Sequence, residues 1–251
     1  MKTNRNQTRA LLGTLVLSCS SLWAQEKCPG EIKILLPPAT MQKVIATLGF
    51  EQKAVGRVYL FDTEALDLLK QGVIVRARQG GNNDLTVKVR LPARAEEIDT
   101  SHLREHFPCE LDRTADREEV SFSVGRKYNP SQVPETGNDI LNGLSRSQRK
   151  LLQEARVSID WTRVKSLASI KLTKWEAEGG PSFRKFALEL WESPQGNILE
   201  LSTRVEPGAG ASKYTELRRF LSQKDLPLSA SQSTKTSTVL EDIVHTASPP
   251  R

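Results

Sequence analysis

The sequence predicts an α+β protein, in which an eight-stranded antiparallel β-barrel encloses a tunnel and carries flanking helices. Three observations favour this fold class. Apolar and polar residues alternate along eight or nine short segments, three other segments have the spacing of amphipathic helices, and charged side chains recur together on one face of several strands. With 251 residues, 37% of them hydrophobic, the chain is long enough for one globular domain with a hydrophobic core.

The amino terminus, residues 1–24, has the layout of a cleaved export signal. Basic residues precede an apolar run over 10–17, and small residues lead to Ala24, after which we expect cleavage. The run is shorter than the roughly 20 residues of a membrane-spanning helix. We therefore expect a secreted or periplasmic protein with no transmembrane anchor after cleavage. A retained anchor and lipidation at Cys19 are the alternatives.

The net charge does not indicate a nucleic-acid partner. The whole chain carries 36 Lys and Arg against 30 Asp and Glu, a formal charge of +6. Three of the basic residues and none of the acidic ones lie in residues 1–24, so the chain after cleavage has an excess of only +3. That excess is too small to predict nucleic-acid binding by itself.

Two cysteines remain after cleavage, Cys28 and Cys109. In an oxidising compartment the simplest expectation is one disulfide between them, which closes a loop of about 80 residues. Two separate thiols are the alternative. Neither cysteine has the spacing of a zinc site.

Alternation of apolar and polar residues predicts the strands. In chain order the alternating segments are 31–35, 55–61, 73–78, 85–91, 107–112, 120–124, 169–175, 186–191 and 198–205. We take residues 25–226 as one domain and residues 227–251 as a Ser/Thr-rich carboxyl-terminal tail that is partly disordered.

Helical spacing predicts three helices, Thr40–Leu48, Glu64–Gln71 and Ser147–Ala155. The third has Ser145 and Gln148 in the spacing of a capping box, in which two side chains satisfy the free N–H groups of the first turn.

Charged residues occupy every second position of several predicted strands. Arg76 and Arg78 share one face, and Lys88 and Arg90 share another, opposite apolar neighbours. An open antiparallel sheet with one solvated face accounts for this pattern. A closed barrel with a charged interior and apolar residues packed outward against helices is the alternative, which the pattern alone favours less.

Three segments in the first half of the chain, Tyr59–Thr63, Gly72–Arg78 and Leu85–Lys88, resemble in order the early core of CYTH domains, the triphosphate tunnel metalloenzyme superfamily. Two later segments, Phe186–Leu190 and Ile198–Ser202, resemble the acidic return strands of that family. The resemblance favours the closed barrel. It implies a tunnel that holds a triphosphate, a polyphosphate or another phosphorylated anion, with carboxylates that hold Mg²⁺ or Mn²⁺.

The resemblance also implies roles for individual residues, because Arg offers paired donors to phosphate and carboxylates suit hard cations. The implied phosphate contacts are Arg76, Arg78, Lys88 and Arg90. The implied metal-holding acids are Glu31, Glu110, Asp112, Glu189 and Glu200.

The sequence departs from the family in its first strand. The family has Glu-x-Glu-x-Lys there, whereas this chain has Glu31, Lys33 and Leu35 at those three positions. Lys33 places a cation where a metal-holding carboxylate is expected, and repulsion between unit charges 4 Å apart is about 4 kcal/mol at an effective dielectric constant of 20. A metal cofactor is therefore doubtful, while Lys33 adds to the positive lining that binds phosphate.

These observations predict an exported protein that binds a phosphorylated anion in a basic barrel interior, with weak or absent hydrolysis and with either Mg²⁺, Mn²⁺ or no metal as cofactor. The alternative is a metal-dependent triphosphatase or polyphosphatase in which Glu110, Glu189 and Glu200 replace the missing ligand. A third reading is a non-catalytic scaffold of the cell envelope.

Overall fold

The computed structural model describes residues 28–81, 83–92, 100–115, 117–129 and 137–247. The predicted export signal, which includes Cys19, lies outside the described residues. Within these ranges no helix is both long enough and apolar enough to cross a membrane.

Among the described residues, nine strands close into one barrel. They are β1 Gly30–Leu36, β2 Glu51–Asp62, β3 Val73–Gln79, β4 Asp84–Pro92, β5 Cys109–Arg113, β6 Glu118–Lys127, β7 Lys165–Glu178, β8 Lys185–Ser193 and β9 Gly196–Val205. Each strand overlaps one of the nine alternating segments, so the alternation of apolar and polar residues predicted the position of every one of these strands.

Around the barrel the strands follow the order β1-β5-β6-β4-β3-β2-β7-β8-β9, and β9 returns to β1. The prediction of eight antiparallel strands is therefore wrong in number and in one pairing, because β1 and β5 run parallel with Glu31 opposite Asp112. The reason is geometric. Strand directions can alternate all the way around a closed barrel only if the number of strands is even, so nine strands require one parallel pair.

The described residues also form two short 3-10 helices, Pro38–Thr40 and Trp161–Arg163, and seven α-helices. The α-helices are α1 Met41–Leu48, α2 Asp67–Lys70, α3 Ser101–His106, α4 Gly137–Gly143, α5 Arg146–Glu154, α6 Gly210–Gln223 and α7 Lys235–Ala247. The predicted helices correspond to α1, α2 and α5, and the capping box of Ser145 and Gln148 is confirmed. The second is shorter than predicted because Leu66 adopts the left-handed conformation, with φ of 57°. Helices α3, α4, α6 and α7 were not predicted.

Apolar side chains on the outer face of the barrel pack under α5 and α6. Ile32 and Ile34 of β1 belong to one buried cluster with Leu217 of α6. On another side Val87 of β4 packs in a cluster with Leu151 of α5. Burial of these side chains on the outside leaves the alternate positions of the same strands facing inward.

A disulfide joins Cys28 and Cys109, whose Cα atoms are 5.3 Å apart. Cys28 lies two residues before β1, and Cys109 is the first residue of β5. Because β1 and β5 run parallel, the bond ties their amino-terminal ends together and holds them side by side. The predicted disulfide is confirmed.

Candidate anion-binding site

The barrel encloses a cavity of about 1110 Å³. Its lining contains ten Lys and Arg side chains and six Glu side chains, so positive charge predominates among the described residues. The same alternation that places apolar residues under the helices places these charges inside. The strand pattern thus reflects a closed barrel with a charged interior, and not an open sheet with a solvated face.

The structure brings the predicted site residues together around this cavity. Nine of them line it: Glu31, Lys33, Arg76, Arg78, Lys88, Arg90, Glu110, Glu189 and Glu200. The tenth, Asp112, is 4% exposed and contacts the lining through ion pairs with Lys33 and Lys88.

Three carboxylates from β1 and β5 form an acidic cluster, Glu31, Glu110 and Asp112. One oxygen of each lies within 4.8 Å of the other two. They meet because the parallel pairing of β1 and β5 sets Glu31 opposite Asp112. Glu110 is two residues before Asp112 and so shares its face of β5.

Two lysines bind the acidic cluster. Lys33 Nζ lies 2.7 Å from Glu31 Oε2 and 2.5 Å from Asp112 Oδ1. Lys88 Nζ lies 2.8 Å from Asp112 Oδ2 and 3.3 Å from Glu110 Oε2. Each of the three carboxylates therefore has an ammonium partner from the chain itself.

Ion pairing outweighs burial at the centre of this cluster. Burial acts to lower the pKa of Lys33, but Glu31 and Asp112 have the larger combined effect and raise it. Burial acts to raise the pKa of Asp112, but Lys33 and Lys88 outweigh it and hold the pKa far below its usual range. Lys33 and Asp112 are therefore both charged at neutral pH.

Burial and neighbouring like charges also shift the pKa values of Glu110, in the acidic cluster, and of its partner Lys88. Burial, and then the neighbouring charge of Glu31, raise the pKa of Glu110. Burial, and then the ammonium of Lys33, lower the pKa of Lys88. An anion that enters the cavity would favour the charged form of Lys88, because an opposite charge a few ångströms away stabilises an ammonium.

A second acidic pair, on β8 and β9, also has a lysine partner. Glu189 and Glu200 lie opposite each other in the antiparallel ladder. The ammonium of Lys235, the first residue of α7, forms ion pairs with both and lies 2.7 Å from Glu200 Oε1. It also sits 4.8 Å from the ring centre of Trp191. Burial acts to raise the pKa of Glu189, but Lys235 outweighs it, and the pKa falls to about 2.

Arg76 differs from these lysines. Its Nε atom is buried and has no hydrogen-bond partner among the described residues, although the side chain lines the cavity. Burial, and then the neighbouring charge of Arg78, lower the pKa of Arg76. An arginine still keeps its charge inside a protein. Arg76 therefore lines the cavity with a positive charge and has a buried donor without a partner among the described residues.

The two remaining arginines of the predicted set are partly neutralised. Arg78 donates to Asp84 from two nitrogens, with Nε 3.0 Å and Nη2 2.5 Å from Oδ2. Arg90 donates from Nη1 to Thr234 Oγ1 at 3.2 Å, and its Nε lies 3.8 Å from Asp112. Both line the cavity, and the buried Nε of Arg90, like that of Arg76, has no hydrogen-bond partner among the described residues.

Five further basic residues line the cavity and were not among the site residues predicted from the sequence: Lys174, Arg184, Lys185, Arg204 and Lys235. The period of two could have found Arg204, because it shares a face of β9 with Glu200. Nothing in the local sequence marks Lys235. The apolar spacing of Val239, Leu240 and Ile243 could have predicted the helix that it begins.

No family model matches the sequence, and no curated protein matches it. Solved structures do. HpAC1 from Hippeastrum, an adenylyl cyclase candidate described as having a dominant triphosphatase activity, aligns with a TM-score of 0.60 at 19% identity, over 83% of this chain and 93% of that chain. An adenylate cyclase candidate from Bacillus halodurans aligns with a TM-score of 0.56 at 14% identity, over 84% of this chain and 96% of that chain.

The similarity extends over most of both chains in each comparison. The chain therefore has the CYTH-like triphosphate tunnel fold, and the resemblance found in the sequence is confirmed at the level of the fold.

The fold family implies a divalent metal, and the acidic cluster offers the hard oxygen donors that Mg²⁺ and Mn²⁺ prefer. Lys33 and Lys88, however, contact four of its six carboxylate oxygens. A divalent ion among them would face two ammonium groups, and even a unit charge 4 Å from each would be repelled by about 4 kcal/mol at an effective dielectric constant of 20. As arranged, these residues do not fit a divalent cation.

Proposed function

We propose that the protein binds tripolyphosphate, polyphosphate or another phosphorylated anion inside the barrel without a metal ion, and that hydrolysis is weak or absent. The observation that carries this proposal is the lysine-filled acidic cluster beside Arg76. Lys33 and Lys88 supply positive charge where a bound metal would otherwise supply it. Arg76 supplies a buried donor with no partner among the described residues.

The electrostatics of the cavity support an anion as the ligand. Ten basic side chains face six Glu side chains, and a barrel interior has a lower dielectric constant than water, which strengthens each contact to a phosphate. The guanidinium of Arg76 matches the spacing of phosphate oxygens and can donate two hydrogen bonds to them. A bound anion would thus give the unpaired donor of Arg76 an acceptor and would neutralise the excess of positive charge in the cavity.

Thermal unfolding with added ligand tests the proposal. We expect tripolyphosphate to raise the Tm of the oxidised protein equally in EDTA and in Mg²⁺, without release of inorganic phosphate. A ligand at 100 times its Kd stabilises the native state by about 2.7 kcal/mol. Arg76→Ala should abolish the shift. Arg57→Ala, which removes an exposed arginine that bonds Ser169 outside the cavity, should leave the shift unchanged.

Three results would contradict the proposal. No shift at millimolar tripolyphosphate, with or without metal, would favour the scaffold. A shift that Arg76→Ala and Arg57→Ala weaken equally would place the anion outside the barrel. A shift that needs Mg²⁺ and is accompanied by phosphate release would favour an enzyme.

A metal-dependent triphosphatase is the second candidate, and one observation favours it. The oxygens of Glu31, Glu110 and Asp112 lie within 4.8 Å of one another, close enough to share an ion if Lys33 and Lys88 withdrew. This candidate requires metal-stimulated phosphate release that Glu200→Ala or Glu110→Ala abolishes.

We also propose that the protein is exported, secreted or periplasmic. The disulfide between Cys28 and Cys109 supports this, because such bonds persist in oxidising compartments. Mass spectrometry of the protein recovered from cell fractions tests it. An exported chain that begins at Gln25 is expected, and an intact chain confined to the cytoplasm would overturn the proposal.

A further inference from the structure

A segment after α6 crosses one end of the barrel. We call this segment, Ser229–Thr236, the C-terminal strap. Ser229 donates its backbone N–H to the carbonyl oxygen of Leu35 at 2.9 Å. The side chain of Gln232 accepts from the Leu35 N–H and donates to the Leu35 carbonyl, both at 2.9 Å. The strap is thus fixed to the carboxyl-terminal end of β1.

The strap continues to the far side of the barrel. Thr234 accepts a hydrogen bond from Arg90 of β4, and Lys235 pairs with Glu189 of β8 and Glu200 of β9. In the closed order of nine strands β4 and β8 are four strands apart, so they lie on opposite sides of the barrel. A segment that contacts both must pass across the lumen.

Buried contacts hold the strap in place. Thr236 is 4% exposed and lines the cavity. In α7, which follows, Val239 and Leu240 pack against Val58 and Leu60, which lie opposite Arg78 and Arg76 in the ladder and so face the lumen. The strap is therefore anchored at both of its ends, to β1 and through α7 to β2.

At the opposite end of the barrel the cavity lining carries exposed basic side chains beside acidic ones, with Lys185 opposite Glu178 in the ladder. The pairing of β1 with β9 sets Leu35 opposite Glu200 at the strap end and Glu31 opposite Arg204 at the other. Arg184, Lys185 and Arg204 are exposed there and line the same cavity. We call these three residues the basic mouth.

We infer that the ligand enters only through the basic mouth and binds end-on, so that the protein selects linear phosphorylated anions with at least one free terminal phosphate. The inference rests on the proposed function and goes beyond it. The inner part of the cavity, near the strap, presents Arg76, Arg90 and Lys235 to the leading end of an entering ligand. A terminal phosphate can accept hydrogen bonds from Arg76 and Arg90, whose Nε atoms have no partner among the described residues, whereas an uncharged group at the leading end would leave these donors desolvated.

Two tetraphosphates test the need for a free end. Adenosine tetraphosphate has one free terminal phosphate, whereas diadenosine tetraphosphate has the same number of phosphates and both ends capped. Calorimetry in EDTA on the full oxidised chain should give an affinity at least tenfold higher for the ligand with the free end. Equal affinities would overturn end-on binding.

A pair of matched variants tests the route of binding. Arg184→Glu with Arg204→Glu reverses two charges at the basic mouth. Arg163→Glu with Lys165→Glu reverses two exposed charges at the strap end. Electrostatic steering raises association rates in proportion to the charge near the opening. Surface plasmon resonance should show a fall of at least fivefold in the association rate of adenosine tetraphosphate for the first variant and less than twofold for the second.

The outcomes separate this inference from the proposed function. If tripolyphosphate does not bind the unaltered protein, the proposed function fails and the inference fails with it. If tripolyphosphate binds but the two tetraphosphates bind equally, or the two double variants slow association equally, the inference alone is overturned.

Discussion

Replacing Lys33 by Met tests how much the acidic cluster depends on its lysine. Lys33 Nζ lies 2.5 Å from Asp112, and the two side chains are only 13% and 5% exposed. Lys43 and Asp225 are also 2.5 Å apart, but their side chains are 47% and 95% exposed. The two pairs share a geometry and differ in burial. Met keeps most of the length of Lys, so each substitution removes mainly the charge.

Burial sets the expected magnitudes. Removing one partner of a buried pair leaves a charge without compensation and costs about 3–5 kcal/mol. An exposed pair contributes about 0–1 kcal/mol. We therefore expect Lys33→Met to lower the free energy of unfolding by about 3–5 kcal/mol and Lys43→Met to lower it by about 0–1 kcal/mol.

Urea unfolding followed by tryptophan fluorescence measures both changes. Equal losses would refute the reasoning, and so would a loss below about 1 kcal/mol for Lys33→Met. Manganese gives a second readout. With the Lys33 charge gone, Mn²⁺ should raise the Tm of the variant while leaving that of the unaltered protein in place, because ligand that binds only the native state stabilises it.

Three further predictions follow from other buried contacts. The pKa of Glu189, about 2, lies below its usual 4.5, so its pairing stabilises the fold fully above pH 4.5 and this contribution, about 3 kcal/mol, is lost as the pH falls towards 2. Glu189→Gln should flatten that part of a plot of Tm against pH. Reduction of the Cys28–Cys109 disulfide, which spans 81 positions, should cost about 4 kcal/mol, and an unchanged Tm in reductant would contradict this. Gln148→Ala leaves two buried strand carbonyls without their amide donor and should cost about 2–4 kcal/mol in urea unfolding, against less than about 0.5 kcal/mol for the exposed Gln153→Ala.

The sequence predicted the strands well because a strand that is buried on one face has alternating apolar and polar residues, and this alternation is visible in the sequence. Every strand of the barrel overlaps a predicted segment, from β1 to β9. The short helices were harder. Helix α3 has six residues and α4 has seven, which is too little chain for a helical period to stand out.

The sequence predicted which residues form the candidate site, but not which of them form ion pairs with each other. The resemblance to CYTH domains identified Lys33, Glu110 and Asp112 as charged residues facing inward. It could not show that Lys33 reaches across from β1 to Asp112 on β5, because the two residues are 79 positions apart and the parallel contact exists only in the closed barrel. Lys235 had no local signal at all, since its role depends on where α7 packs.

What the sequence by itself determined is the alternation that gives several strands one apolar and one charged face, and the presence of Lys33 where the resemblance to CYTH domains implies a carboxylate. Both are local properties of the chain. Only the tertiary structure decided that nine strands close with one parallel pair and that Lys33, Lys88 and Lys235 neutralise the acids of the tunnel. It also decided that the strap crosses one end. These features depend on contacts between residues distant in the chain. Such contacts arise when the barrel closes and the helices pack, so the local alternation of residues cannot predict them.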